Sequence, residues 1–150
     1  MGLIARNTTP PLSWYAATAL VALLAGCENP PPPVVSNTRL YAIDQQGETK
    51  DCKVNDVPPQ PGKQVADSIS VGNDGGWCAL TLSTTKGAPY GAGLLTQRPA
   101  HGKVYIHTVG DATRVDYTPE RGYTGPDKFT IDLLPEQADV AVTVTVTGPK

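Results

Sequence analysis

Residues 140–147 read VAVTVTVT. Valines at 140, 142, 144 and 146 alternate with threonines at 143, 145 and 147, and an extended strand turns that period of two into one apolar and one polar face. This is the clearest half-buried strand in the chain, and weaker copies precede it. KFTIDLL (128–134) sets Phe129, Ile131 and Leu133 against Thr130 and Asp132. TRVDYTP (113–119) points Val115 and Tyr117 inward, and KVYIH (103–107) places Val104 and Ile106 on one face. VGDA (109–112) falls where a hairpin turn is needed. WCALTLS (77–83) separates Trp77, Ala79 and Thr81 from Cys78, Leu80 and Leu82, and VADSISV (65–71) alternates loosely. RLYAI (39–43) is expected to open the first strand. Residues 44–64, with Pro58, Pro59 and Pro61, and the Gly-rich stretch from 84 read as loop. Several short strands spaced by Gly/Pro turns, with no credible helix among them, predict an all-β fold, a β-sandwich.

The N-terminus has a different character. Residues 15–25 (YAATALVALLA) are uncharged and small or aliphatic, and Arg6 is the only charge ahead of them. The run is too short for a convincing membrane span and has the layout of an export signal. Its ending, Leu24-Ala25-Gly26-Cys27, resembles the lipobox of bacterial lipoproteins. That resemblance implies cleavage before Cys27 and diacylation of its sulfur, which anchors the chain in a lipid bilayer. Two or more acyl chains hold a protein firmly, where one does not. Glu28 and Asn29, in place of an aspartate, imply sorting to the outer membrane, with the domain in the periplasm or at the cell surface. The expected organisation is a signal peptide over 1–26, a lipidated Cys27 with a Pro-rich tether over 27–37, and a sandwich over 38–150. Pro30 to Pro33 favour an extended polyproline II spacer.

With Cys27 assigned to lipid, Cys52 and Cys78 form the only intrachain pair available, in a compartment that permits a disulfide. Two buried thiols are the bland alternative. A metal site lacks an obvious further ligand nearby.

HGKVYIHTVGDATRVDYTPERGYTGPDKFTIDLL (101–134) resembles the bacterial cadherin-like or immunoglobulin-like tandem domains. The matching residues are Gly102 and Val104, Gly110 and Asp111, Tyr117-Thr118-Pro119, Gly122-Tyr123-Thr124-Gly125, and Asp127, Phe129 and Thr130. With ISVGNDGG (69–76), the resemblance spans about 66–147 and implies an immunoglobulin-like sandwich. The chain has room for one copy. Asn73-Asp74 alone cannot supply the oxygens calcium needs, and the acidic linkers of true cadherins are absent.

Reaction chemistry is not visible. No serine lies in a Gly-x-Ser-x-Gly elbow, and the Gly-rich pieces lack a following Lys-Ser/Thr. His101 and His107 sit about 20 Å apart along an extended strand, too far to share a metal. No spacing fixes two of Asp111, Asp116, Asp127 and Asp132 around a cleft. The net charge of −2, with no Lys/Arg cluster, argues against nucleic acid. No catalytic residue, metal or cofactor is expected.

The expected function is a non-catalytic, membrane-anchored docking or structural subunit of a periplasmic or cell-surface assembly. Its partner is an envelope or surface protein, met through exposed strand edges or the 84–99 loop. A glycan- or peptidoglycan-binding module is the alternative, and an adhesion or inhibitor protein is a third reading. Tyr90, in the GAPYGAG loop, is the freest aromatic and the first candidate for recognition. Trp77 is the second, although packing against the disulfide explains it equally well.

Overall fold

The computed structural model describes residues 41–149. The expected signal peptide, Cys27 and the Pro-rich tether lie outside the described residues. Eight strands follow a short 3-10 turn at Ala42–Gln45: β1 Cys52–Val54, β2 Gln64–Gly72, β3 Cys78–Leu82, β4 Ala92–Gln97, β5 Gly102–Val109, β6 Ala112–Pro119, β7 Gly125–Leu134 and β8 Ala138–Thr147. They form two sheets, β1-β2-β8-β7-β4 and β3-β6-β5. The β2–β8 pair is parallel and every other pair is antiparallel. The fold is an all-β, immunoglobulin-like sandwich.

The alternation read from the sequence fills the space between the sheets. Val140, Val142, Val144 and Val146 of β8 stand beside Phe129, Ile131 and Leu133 of β7, facing Leu80, Val115 and Tyr117 of the opposite sheet. All ten are buried. Burial of such side chains contributes roughly 1.5–3 kcal/mol each, so this strip dominates the fold's stability. The VGDA hairpin is present, with Val109 paired to Ala112 and Gly110 at φ 60° between them.

Cys52 and Cys78 are joined, with Cα atoms 5.2 Å apart. The bond ties edge strand β1 of one sheet to edge strand β3 of the other. The opposite side is closed by packing. A Cβ on Gly93 would lie 2.7 Å from Ile106 Cγ2, so the glycine lets β5 come against β4.

Three local expectations are corrected. Tyr41–Ile43 do not open a strand. The Asp44 carboxylate accepts the Tyr41 N–H at 2.9 Å and coils the segment into the 3-10 turn. Strand β1 lies within the stretch expected to be loop. Three residues are too few to show a period, and pairing with β2 together with the disulfide holds them. Strand β4 lies within the expected 84–99 loop, its apolar pattern interrupted by the glycine that Ile106 requires.

Candidate functional site

Strand β6 alternates, yet it is buried on both faces. Val115 and Tyr117 enter the core, while Arg114 and Asp116 point outward and are still only 8% and 7% exposed. Arg114 donates from Nε to Asp116 Oδ1 at 2.7 Å and from Nη2 to Oδ2 at 3.1 Å, a two-pronged charged contact. Its guanidinium carbon lies 4.2 Å from the centre of the Trp77 ring, in cation–π geometry. Its Nη1 donates to the Asp44 carbonyl.

A strap of residues 41–49 provides the cover. Trp77 fastens it: Thr49 N–H donates to the Trp77 carbonyl at 2.9 Å, Trp77 N–H to the Gly47 carbonyl at 3.0 Å, and the indole Nε1 to the Gln46 carbonyl at 3.2 Å. The strap lies so close that a Cβ on Gly76 would be 2.6 Å from the Thr49 nitrogen. Trp77 therefore spends its ring face on Arg114 and its N–H on the strap. It belongs to the frame of the site.

The same outward row continues across β5. His107 Nε2 stands 3.0 Å from Asp116 Oδ2, and the Tyr105 ring tilts against the His107 ring with centroids 4.4 Å apart. Tyr105 is 63% exposed. Lys103, two residues before it, shares this outer face and pairs across to Thr118.

An open recess of about 520 Å³ lies at that end of the sheet, lined by Lys103, Thr118, Glu120 and Arg121 and by the chain at Ala100 and Gly102. Its frame is rigid. Asp127 accepts the N–H groups of Ala100, His101 and Lys128, each at 2.9 Å, and the Tyr117 hydroxyl at 2.8 Å. Burial alone would raise the Asp127 pKa, but these four donors outweigh it and hold the carboxyl below its ordinary range. Burial, followed by the Asp127 bond, pushes the Tyr117 hydroxyl up, so it stays a donor. A Cβ on Gly102 would sit 2.5 Å from the Tyr117 ring. On the other wall the Asn73 side-chain amide donates to the Glu120 and Tyr123 carbonyls at 2.7 and 2.9 Å. His101 stacks on Tyr123 at 3.9 Å.

Tyr90 does not stand free in its loop, contrary to expectation. It is 5% exposed and packs in the core, with its backbone N–H donating to Thr113 Oγ1 at 2.8 Å and its hydroxyl to Glu136 Oε2 at 3.2 Å. Burial first, and the Glu136 carboxylate second, push its hydroxyl pKa up to about 12. Among the described residues no group of three or more His, Cys, Asp and Glu side chains is placed to hold a metal ion. Lys103, Arg114 and Arg121 were not singled out by sequence reasoning. The parity of KVYIH gives one signal for Tyr105, because a tyrosine opposite Val104 and Ile106 must face outward.

No family model and no curated protein matches this chain.

Proposed function

We propose that this chain is a non-catalytic lipoprotein, acylated at Cys27, whose immunoglobulin-like domain docks onto a protein of the bacterial envelope. One observation supports the docking reading. Natural sheets guard their edges with charge, cover or bulges. Here β3 has no exposed residue and the strap bonds to Trp77 at its head, β1 is flanked by Asp51 and contains Lys53, and β5 carries Lys103 and His107. Strand β4 (AGLLTQ) is an edge strand with no charge, and Leu94 on it is 51% exposed. Arg98 and the register shift between Leu95 and Gln97 guard its C-terminal end, which leaves Ala92–Leu95 as the uncharged, regular stretch.

Such an edge suits addition of an extended segment from a partner, with backbone bonds giving affinity and Leu94 an apolar contact. Anchoring would raise the effective concentration of the domain toward a partner at the same membrane.

The test is photo-crosslinking in cells from position 94, followed by identification of adducts in isolated inner and outer membranes. A single dominant protein adduct, lost in an Ala92→Lys background that still folds, supports docking. Absent or scattered adducts from a correctly folded protein overturn it. Release of the chain from membranes by Cys27→Ser tests the anchor separately.

A further inference from the structure

We propose that the recess beside Lys103 and Arg121 binds an acidic saccharide, with its anionic group held between the two cations and its ring laid on Tyr105. This surface is separate from the β4 edge and does not depend on docking there. The recess, at about 520 Å³, falls within the range of small-ligand sites.

Three observations point to the ligand class. First, neither Lys103 nor Arg121 has an ion-pair partner among the described residues, and the one carboxylate in the lining, on Glu120, stands 3.8 Å from His101 Nδ1. The side chains of the lining thus carry net positive charge in a chain of net charge −2. Arginine presents a planar fork suited to carboxylate or phosphate, and lysine adds a mobile point charge. Second, Tyr105 is the largest exposed aromatic on this face and lies two residues from Lys103, about 7 Å along the strand. The His107 ring against it limits its motion. Tyr105 does not line the recess itself, and an exposed, supported ring one strand repeat from an anion site matches a ligand with an apolar ring face and an attached charge. Third, Thr118 brings a side-chain hydroxyl to the recess, a neutral partner for sugar hydroxyls. The Asp127 clamp and the Asn73 bonds fix these walls before any ligand arrives.

The charge could come from a sugar carboxylate or a sugar phosphate, and the test separates them. The full chain, held in nanodiscs, is titrated with glucuronic acid and with glucosamine 6-phosphate. Glucose, N-acetylglucosamine, inorganic phosphate and a tetraglutamate peptide serve as controls. Saturable binding of at least one acidic sugar is expected, about 10-fold tighter than its neutral counterpart, the weight of one charge-assisted contact at an open site. Arg121→Gln and Lys103→Ala should each remove most of that preference. Tyr105→Ala should weaken the sugar and leave inorganic phosphate unchanged, with thermal melting as the check on folding.

Preference for the carboxylate or for the phosphate ligand names the source. The proposal is overturned if neither acidic sugar saturates by about 10 mM, a range that covers weak single-site binding. Neutral sugars binding equally well, or tetraglutamate or phosphate binding as tightly as the acidic sugars, would overturn it too.

Discussion

Replacing Arg114 with methionine should destabilise the domain far more than replacing Arg114 and Asp116 together. The Asp116 carboxylate is 7% exposed and accepts two bonds from Arg114 and one contact from His107. Removing the cation strands a buried charge, which costs about 3–5 kcal/mol. The Trp77 face contact adds about 1 kcal/mol. Asp116→Leu leaves Arg114 with Trp77 and the Asp44 carbonyl but no counter-charge, a cost of similar size. The double variant Arg114→Met/Asp116→Leu strands neither charge and fills the same volume with apolar atoms. It should lose only the strap and ring contacts, about 1–2 kcal/mol. Equilibrium unfolding in urea of the three variants closes the cycle, and the double should fall short of the summed singles by about 3 kcal/mol or more. Amide exchange at Trp77 and Thr49 should quicken whenever Arg114 is replaced, because the strap loses its bond at Asp44. Additivity within about 0.5 kcal/mol would refute the reasoning, since it would mean that Asp116 is solvated without its partner.

Cys52→Ala/Cys78→Ala opens a loop of 26 residues and should cost about 3.5 kcal/mol in the chain-entropy model, read as a lower urea midpoint. A loss under about 1 kcal/mol would show that the unfolded chain is already confined there. Asp127 has a folded pKa below the unfolded value of about 3.9, so its contribution is full above that pH and is lost as pH falls through the folded value. Urea midpoints from pH 7 to 3 should therefore fall less steeply for Asp127→Asn than for the parent, and parallel curves would remove Asp127 from the acid limb. Asp132 pairs directly opposite Asp139 across β7–β8, and its Oδ1 is buried with no partner among the described residues. Asp132→Asn should raise stability by about 0.2–1 kcal/mol, and a loss in thermal melting would count against cross-strand repulsion.

What the sequence made legible follows the range of the forces involved. Strands β5 to β8 each carry four or more alternating positions, and a period of two already sorts their side chains into core and surface. The disulfide was legible because chemistry left few partners for Cys52 and Cys78. Strand β4 was hidden by Gly93, whose reason for being there is a side chain 13 positions later, Ile106. Tyr90 lies in a loop rich in glycine, so local composition pointed to a free ring. Thr113 and Glu136, far along the chain, draw it into the core. Arg114 and Asp116 were visible as outward-facing charges in TRVDYTP. Their burial comes from the strap, about seventy residues earlier, and no local pattern encodes that cover.

The strap also decides how the domain answers tension applied from its N-terminal side. Asp44 meets β6 at Arg114, and the strap then runs along β3 to Trp77, beside Cys78, which pairs with Tyr117. The recess lies beyond Tyr117, at Thr118 and Arg121, some four residues or about 13 Å of strand from Arg114. By that register Trp77 stands level with Thr118, so the strap meets the sheet on its β3 side and the recess opens on its β5 side. A pull from the N-terminal side would meet the Asp44 and Trp77 bonds first. Peeling would stop at Cys52, whose covalent link to β3 leaves the β5–β6 face and its recess intact. The strap should therefore yield to tension before the β5–β6 face does, and single-molecule pulling with and without reductant would show whether the disulfide sets that order.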